Sequence, residues 1–405
     1  MSKYLRIDEI VESISKTHKF DIDILKFLNT SDIYSGKIIN INYLPLSQLK
    51  GQAKKTIKKN DILFSEIRPQ NKRFAYVDFD ETYDFVVSTK LMVLRNINPL
   101  VDNKYFYYFL TNDHMLSVLQ TRAENRICSF PQITFDLLSD YKVRVPDINE
   151  QKRISSLLSS LDKKIELNNQ INAELESMAK TLYDYWFVQF DFPDENGKPY
   201  KSSGGKMVYN SVLKREIPEG WQDKKLSDIA NITMGQSPNG GSYNENGDGV
   251  IFFQGSTDFG WLFPSIRQFT NQPIRLAKKG DILLSVRAPV GDMNIANNDC
   301  CIGRGLAAMN SKESFDVFLF YVMKYFKTIF ERRNSEGTTF GSITKNDLRS
   351  LQLSYPSPSI LKKYEAIVSN YNKMIFEKSL ETEKLTKLRD FLIPMLMNGQ
   401  VTIKE

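Results

Sequence analysis

The sequence has few of the residues from which metal and nucleophile sites are usually built. Its 405 residues include two histidines, His18 and His114, and three cysteines, Cys128, Cys300 and Cys301. Neither histidine lies near a cysteine or the other histidine at the spacing of metal ligands, so the sequence predicts no zinc site. The odd, poorly spaced cysteines argue against a disulfide framework and favour a reducing compartment.

Other absences exclude common nucleotide-binding and membrane segments. Neither Gly197-Lys198 nor Gly205-Lys206 is preceded by a glycine at P-loop spacing, so we do not expect ATP hydrolysis. The chain has no glycine-turn signature of a dinucleotide or S-adenosylmethionine fold, and no Asn-Pro-Pro or Asp-Pro-Pro tripeptide. No apolar run reaches the roughly 18 residues that span a bilayer, and the amino terminus does not resemble a signal peptide. We therefore expect a cytoplasmic protein without membrane association or a cofactor of its own.

What is present is the composition of a globular protein with a mild excess of positive charge. Hydrophobic residues make up 41%, aromatic residues 12%, and the net charge is +6. Residues 1–148 contain 21 Lys and Arg against 18 Asp and Glu, and residues 215–357 contain 16 against 15. If these regions bind DNA, their sequence-independent attraction to phosphate is small, and other subunits would have to supply it.

The most informative pattern is an internal repeat. Of the twelve positions from 58 to 69, seven are identical in the segment 220 positions later, where average composition gives roughly one by chance. A second anchor recurs further along each copy, with one residue inserted in the later copy. The matching segments are Lys58–Ser65 with Lys278–Ser285, Pro69 with Pro289, Ile133–Ser139 with Ile343–Ser350, and Pro146 with Pro356. Two diverged modules predict a protein that contacts its partner in two places.

A long stretch with helical spacing follows each module. The first runs from Glu150 to Val188 and the second from about Ser359 to Ile393, with Pro394 predicted to end it. The first heptad has a positions Leu158, Ile165, Asn172, Ala179 and Trp186, and d positions Leu161, Asn168, Leu175 and Leu182. The second has a positions Tyr364, Tyr371, Lys378, Leu385 and Leu392, and d positions Ile367, Met374, Glu381, Leu388 and Met395.

Four polar residues interrupt these seams near their middles, namely Asn168, Asn172, Lys378 and Glu381. If the helices pack antiparallel within one chain, these side chains meet and fix the register at some cost in stability. The alternative is that these polar side chains lie outside the interface, because the apolar stripe shifts gradually around each helix.

One acidic motif allows two interpretations. Pro146, Asp147, Glu150 and Lys152 superficially match the Pro-Asp and Glu-x-Lys elements of restriction nucleases, although those elements normally lie on neighbouring strands with a longer gap. Asp147 followed three residues later by Glu150, just before an apolar-periodic run, better fits a helix capping box. We therefore favour the cap over a catalytic site.

With this order of modules and helices, the chain resembles the specificity subunit of type I restriction and modification enzymes over essentially its whole length. The segments that carry the resemblance are Pro146–Ile154, Trp186–Phe192, Ile217–Trp221, Gly235–Pro238, Phe252–Gly255 and Leu388–Pro394. The second helix departs from the pattern, because Ser359–Lys363 lacks the glutamate-glutamine pair found at Glu150 and Gln151. Without this pair, the second helix is not expected to have the same cap or to make the contacts that the pair makes in the first helix.

The resemblance implies a set of partners and a division of labour. Each module would read one half of a bipartite double-stranded DNA target, and the helices would set the spacing and dock two modification subunits. Those subunits would hold S-adenosylmethionine and methylate adenine. Restriction subunits, which use ATP and Mg²⁺, would translocate and cleave the DNA. This chain would then have no catalytic activity of its own.

We therefore expect an α+β protein with two similar target recognition domains, each followed by a long helix, and the helices packed as an antiparallel coiled coil. The predicted segments are 1–148 (recognition domain 1), 149–190 (spacer helix 1), 191–214 (linker), 215–357 (recognition domain 2), 358–396 (spacer helix 2) and 397–405 (tail).

Residues that read DNA are expected on loops where the two copies differ, because a segment kept in both modules cannot distinguish two half-sites. Arg can pair with guanine and Asn or Gln with adenine, whereas any one such residue can also be a phosphate contact or a solvated loop residue. In the first module the candidates are Arg68, Gln70, Asn71, Lys72, Arg122, Asn125, Arg126 and Ser129. In the second they are Gln254, Ser256, Thr257, Arg287, Arg332, Arg333, Asn334, Thr338 and Thr339.

Two other functional classes compete with a DNA-reading adaptor. One is a catalytic DNA-modifying or DNA-cleaving protein with an unrecognised active site, which would act without partners. The other is a purely structural coiled-coil scaffold, which would not select one bipartite duplex.

Overall fold

The computed structural model describes residues 3–15, 20–49, 53–125, 131–287, 289–335 and 342–403. The chain divides into two compact units. Unit 1 consists of Met1–Gln170 and Lys378–Glu405, and unit 2 of Ile171–Glu377. A first long helix spans Ile148–Tyr183 and a second spans Pro358–Met397, and each contributes residues to both units. Unit 1 is therefore built from the beginning and the end of the chain.

Among its described residues, unit 1 contains two four-stranded sheets and two strand pairs. The strands are β1 Lys3–Arg6, β2 Val11–Ser13, β3 Ile24–Leu28, β4 Ile33–Tyr34, β5 Lys37–Ile38, β6 Asn42–Pro45, β7 Ala53–Thr56, β8 Ile62–Ser65, β9 Phe74–Tyr76, β10 Phe85–Ser88, β11 Leu91–Asn96 and β12 Lys142–Val145. The sheet orders are β6-β3-β10-β7 and β2-β11-β8-β9, and β1 pairs with β12 and β4 with β5. The β3–β10 pair is parallel.

Unit 2 repeats the strand order of both sheets, with one further edge strand in the first of them. Its strands are β13 Met207–Asn210, β14 Arg215–Pro218, β15 Gln222–Lys225, β16 Ala230–Met234, β17 Tyr243–Asn244, β18 Val250–Phe253, β19 Phe269–Thr270, β20 Leu276–Ala277, β21 Ile282–Ser285, β22 Met293–Ile295, β23 Cys300–Ile302, β24 Leu306–Ser311 and β25 Gln352–Tyr355. The orders are β17-β19-β18-β23-β20 and β16-β24-β21-β22, with β13 paired to β14 and β15 to β25. The β18–β23 pair is parallel, as its counterpart is in unit 1. The predicted duplication is thus a duplication of fold.

In the part of the chain that the structure describes, three shorter α-helices accompany the sheets of each unit. They are α1 Asn103–Thr111, α2 Asp113–Glu124 and α3 Phe135–Ser139 in unit 1, and α4 Leu226–Ile229, α5 Asp316–Ser335 and α6 Lys345–Ser350 in unit 2.

Each long helix begins beside one module in the sequence and contributes residues to the core of the unit that contains the other module. In unit 1, Ile393, Leu396 and Met397 from the end of the second long helix pack into the core of the first module. In unit 2, Trp186 and Phe187 follow the first long helix and lie 5.9 and 5.0 Å, between ring centroids, from Tyr364. Apolar side chains at helix ends therefore complete both cores.

The seam predicted for the first long helix is confirmed, because its a and d residues are buried or half-buried. For the second long helix, the predicted d positions Ile367, Met374 and Leu388 are wrong, whereas Glu381 and Met395 are half-buried as expected. Ile367, Met374 and Leu388 are exposed, whereas Val368 and Ile375 are buried. Several aromatic and polar residues in this helix blur its periodicity, so the sequence alone does not distinguish the apolar row on the outer face from the seam.

The ends of the long helices also differ in part from expectation. Pro394 lies inside the second helix, which continues to Met397, so the prediction that Pro394 ends it is wrong. Burial of Leu396 and Met397 favours helix past the proline, and Gly399, with φ +72°, follows it.

The first helix is capped by Asp147, as predicted. Its Oδ1 accepts hydrogen bonds from the backbone N–H groups of Asn149 (3.0 Å) and Glu150 (2.9 Å), and the latter lowers the pKa of the carboxyl. The reciprocal half of the capping box is absent among the hydrogen bonds of the described residues, because the Glu150 carboxylate pairs with Arg144 at 3.0 Å. The contacts of Asp147 and Glu150 are those of a helix start rather than of a nuclease site.

Candidate nucleic-acid interface

The segment that is repeated in both modules, Lys58–Ser65 and Lys278–Ser285, belongs to the structural framework. In unit 1, Asp61 is 1% exposed, its Oδ2 accepts from the N–H of Lys58 (2.7 Å), and its two oxygens pair with Arg95 at 2.9 and 2.7 Å. In unit 2, Asp281 likewise accepts from the N–H of Lys278 (2.9 Å) and from Asn310 Nδ2 (2.9 Å). These aspartates close the turn before β8 and β21, two strands that are entirely buried.

After β8 the chain enters a strained loop. Arg68 (φ 45°) and Lys72 (φ 53°) adopt left-handed backbone conformations on either side of a single 3₁₀ turn, Pro69–Asn71. Such conformations cost about 1–3 kcal/mol each in residues other than glycine and persist only where the surroundings impose them.

The surroundings of this loop are well defined. The N–H of Arg68 donates to Pro131 O (3.1 Å), the N–H of Gln70 to Gln120 Oε1 (3.4 Å), and Lys72 Nζ pairs with Asp113 at 2.6 Å. The loop is thereby held against α2.

Three of the predicted DNA-binding residues project from this loop. Arg68, Gln70 and Asn71 are exposed, and their side chains make no hydrogen bond or ion pair with the described residues. A rigid backbone that presents free donors and acceptors suits direct reading of base edges. Lys72 is half-buried and already paired, which leaves it less available.

The remaining candidates in unit 1 are not brought together with the loop. The Arg122 guanidinium lies 3.5 Å from Asp140 and 5.0 Å from the Tyr141 ring centroid. Asn125 is exposed at the end of α2. Arg126 and Ser129 lie outside the described residues.

In unit 2, Gln254 follows β18 and is held in a defined orientation. Its Nε2 donates to Ser237 Oγ at 2.9 Å, and the same hydroxyl lies 3.2 Å from Gln254 Oε1. Ser256 and Thr257 begin the next 3₁₀ turn, where Ser256 is half-buried and Thr257 exposed.

Arg287 follows β21 at the position where Ile67 follows β8. Its side chain is exposed, while Ser285 Oγ donates to its carbonyl at 2.9 Å, as Ser65 Oγ does to Ile67 O at 3.3 Å. The side chains of Arg332, Arg333 and Asn334 on α5 fall outside the described part of the structure, as do Thr338 and Thr339 altogether.

Two exposed residues near Gln254 were missed by the sequence analysis. The N–H of Gln236 donates to Ile302 O (3.0 Å), and the N–H of Arg304 donates to Ser237 Oγ (3.2 Å). The signal that could have identified Arg304 is its place in a Gly-Arg-Gly tripeptide between β23 and β24, where the first module has Ser88–Lys90.

The polar residues of the long helices also meet in unit 1. Asn168 Nδ2 donates to Glu381 Oε2 at 3.0 Å, and Lys378 Nζ lies 3.1 Å from the same oxygen. Arg389 pairs with Asp162 at 2.8 Å, so the two helical segments run antiparallel. Asn172, 3% exposed, belongs to unit 2.

Different side chains join each module to the long helix that follows it in sequence. In unit 1, Gln151 is fully buried, accepts from the N–H of Asp102 (2.8 Å) and donates to Leu100 O (2.9 Å). In unit 2, Leu361 occupies the corresponding turn, and Glu365, one turn later, accepts from the N–H of Phe318 (2.8 Å). Burial raises the pKa of Glu365 to about 7, against the lowering effect of that hydrogen bond. The second long helix lacks the glutamate-glutamine pair. Glu365 therefore makes the contact with the module that Gln151 makes in unit 1.

Unit 1 also contains a cavity of 890 Å³ between its module and the long-helix segments. Several of its polar groups pair with one another. Tyr108 Oη donates to Asp162 at 2.5 Å, and Arg389 and Lys72 pair with Asp162 and Asp113. We assign no ligand to it.

Among the described residues, no group of three His, Cys, Asp or Glu side chains is placed to hold a metal ion. None of the described helices is both long and apolar enough to cross a membrane.

Comparison with known proteins adds independent findings. The family described as "Type I restriction modification DNA specificity domain" matches residues 2–177 and 218–387. The HindI specificity subunit of Haemophilus influenzae is 28% identical over 98% of this chain and 99% of its own length. A Methanocaldococcus jannaschii protein described as the type I restriction enzyme MjaX specificity subunit is 32% identical over 91% of this chain and 84% of its own. The crystal structure of the type I system S subunit from M. genitalium shares the fold, with a TM-score of 0.57 at 18% identity, over 98% of this chain and 96% of that one.

Proposed function

The chain belongs to the family of type I restriction-modification DNA specificity subunits, and on this premise we propose that each module reads one half of a bipartite DNA target. The family to which it belongs provides DNA specificity and not catalysis, which favours the adaptor over the catalytic alternative.

One observation carries the proposal. The modules share sheet order and a buried aspartate turn, yet differ immediately after the equivalent strands β8 and β21. Arg68, Gln70 and Asn71 in unit 1 stand where unit 2 has a different sequence. A shared scaffold with divergent polar loops is suited to binding two different half-sites.

The long helices supply the proposed spacer and docking surface for two modification subunits. Each unit exposes large apolar side chains on them. These are Leu157, Leu167, Leu380, Leu388 and Phe391 in unit 1, and Met178, Ile367 and Met374 in unit 2. Apolar side chains exposed along a helix are typical of surfaces that another helix covers.

The remaining parts of the proposal concern the complex. S-adenosylmethionine, ATP and Mg²⁺ would be bound by modification and restriction subunits, with no cofactor on this chain. Because its substrate is double-stranded DNA in the cell, we propose that the complex acts in the cytoplasm.

Methylome sequencing of a host that expresses this chain with its modification subunits tests the proposal. We expect a single bipartite motif with a fixed number of unread base pairs. Methylation or cleavage by the purified chain without partners, or a motif without two parts, would contradict it.

A further inference from the structure

The loop between β23 and β24 in unit 2, Gly303–Gly305, has a fixed backbone. The N–H of Gly303 donates to Phe253 O (2.8 Å), and the N–H of Gly305 donates to Gln254 O (3.2 Å). A Cβ at Gly303 would lie 2.8 Å from Gln254 Oε1, and a Cβ at Gly305 would lie 2.8 Å from Gln254 O. Only glycine fits at both positions without displacing the loop, so Arg304 is presented from a rigid support.

The Arg304 side chain is exposed, and it makes no hydrogen bond or ion pair with the described residues. The corresponding loop in unit 1 is different, because its Lys90 lies 3.7 Å from Glu66. The two loops are equivalent in position, since the N–H of Glu66 donates to Lys90 O and that of Val286 to Gly305 O. Because the Arg304 side chain is exposed and unpaired with the described residues, the five N–H donors of its guanidinium are available to a ligand.

Gln254 lies beside this arginine, and one hydroxyl positions both residues. Ser237 Oγ accepts from Gln254 Nε2 (2.9 Å) and from the N–H of Arg304 (3.2 Å). The Gln254 amide keeps a second N–H and a second lone pair on Oε1, which is the donor and acceptor pair that binds the major-groove edge of adenine. A guanidinium fork binds O6 and N7 of guanine in the same groove.

We propose that Arg304 and Gln254 read two base pairs of the half-site bound by the second module, Arg304 a guanine and Gln254 an adenine, and that Ser237 positions them. This inference rests on the proposed function. It adds Arg304 to the residues proposed to bind DNA. The equivalent loop of the first module contains no arginine.

The test uses the full chain with its modification subunits and a duplex library randomised over both half-sites. Arg304→Ala should lose selectivity at one base pair of the second module's half-site, on the order of 10-fold or more. Arg304→Lys should lose the same selectivity, because it keeps the charge without the guanidinium fork. Ser237→Ala should relax both base pairs, and Ser237→Thr should restore them.

The first half-site selected by each variant is an internal control for folding, and Arg349→Ala, an exposed arginine on α6, is the matched control. Uniform weakening by Arg304→Ala that Arg304→Lys restores would identify a phosphate contact and overturn the proposal. An unchanged second half-site in Arg304→Ala would also overturn it. If the wild-type complex selects no bipartite motif, the proposed function fails as well, which is a different result from a bipartite motif that ignores Arg304.

Discussion

Asn168 donates a 3.0 Å hydrogen bond across the two long helices to Glu381, while its own Oδ1 is buried without a hydrogen-bond partner among the described residues. Glu381 is also 3.1 Å from Lys378 and 3.6 Å from Lys164, and these contacts lower the pKa of its carboxyl, the Lys378 contact most. A buried amide that is only partly satisfied costs free energy while it specifies which residues face each other.

Replacing Asn168 with leucine should therefore raise the melting temperature. Glu381 keeps its two lysines, so the substitution removes a buried unsatisfied oxygen without leaving an unpaired charge. Adding Asn172→Leu should increase the effect and loosen the register. Thermal unfolding followed by circular dichroism measures the first part, and pairwise cysteine crosslinking between the helices the second. A marked loss of stability with unchanged register would refute this account.

Gln70 offers a test of the reading loop in unit 1. Gln70→Ala removes an exposed amide from a loop whose backbone is held by other contacts, so folding should be unaffected. If Gln70 reads a base, selectivity should fall by about 1–3 kcal/mol at one position of one half-site. Selection from randomised duplexes measures this loss. Equal weakening of binding to every sequence would instead identify a phosphate contact.

The repeated framework and the first helix could be predicted from the sequence because their signals are local. Asp61 and Asp281 recur with the same neighbours, and the apolar residues of the first long helix keep a seven-residue period. The buried face of the second long helix was harder to predict. Its outward-facing Ile367 and Met374 have the same spacing as a seam, and only tertiary packing decides which row is buried.

The candidate site was only partly accessible from the sequence. Gln70 and Asn71 could be found by comparing the two copies, since they follow a shared strand. The same comparison could have pointed to Arg304, which lies in a Gly-Arg-Gly tripeptide that the first module lacks, but not to its contact with Ser237, 67 residues away in the chain. Contacts between loops that are distant in sequence leave no periodic pattern.

The carboxyl of Glu365 predicts a dependence of stability on pH. Its pKa is raised by burial to about 7, from an ordinary value of 4.5, so the folded protein retains a proton that the unfolded chain releases. Stability should therefore fall as the pH rises from about 4.5 to about 7, by roughly 1–2 kcal/mol after allowance for partial exposure. Glu365→Gln keeps the acceptor for the N–H of Phe318 and should remove this dependence. Urea unfolding at pH 5 and pH 8 measures it, and an equal pH dependence in both proteins would contradict the assignment.

The end of the chain should be necessary for the stability of the first module. Leu396 is 1% exposed in the core of unit 1, and its carbonyl accepts a hydrogen bond from Arg144 Nη1 at 3.4 Å. Leu396→Ala should destabilise the unit by about 2–5 kcal/mol. Phe391→Ala is the control, because Phe391 is 63% exposed on the same helix. Similar chemical-denaturation midpoints for the two variants would show that this packing is unimportant.

The proposed spacer can be tested by lengthening both long helices together. Insertion of seven residues after Asn172 and seven before Lys378 keeps the heptad phase and adds about 10 Å of helix. Because base pairs rise about 3.4 Å each, the gap between half-sites should grow by about three base pairs, less any part absorbed by DNA bending. Both half-sites should stay the same, since neither insertion touches a module. The same insertion in one helix alone is the control, because it shifts the paired residues and should impair folding or binding. Methylome sequencing of the doubly extended protein reads gap and half-sites at once, and altered half-sites with an unaltered gap would reject the spacer role.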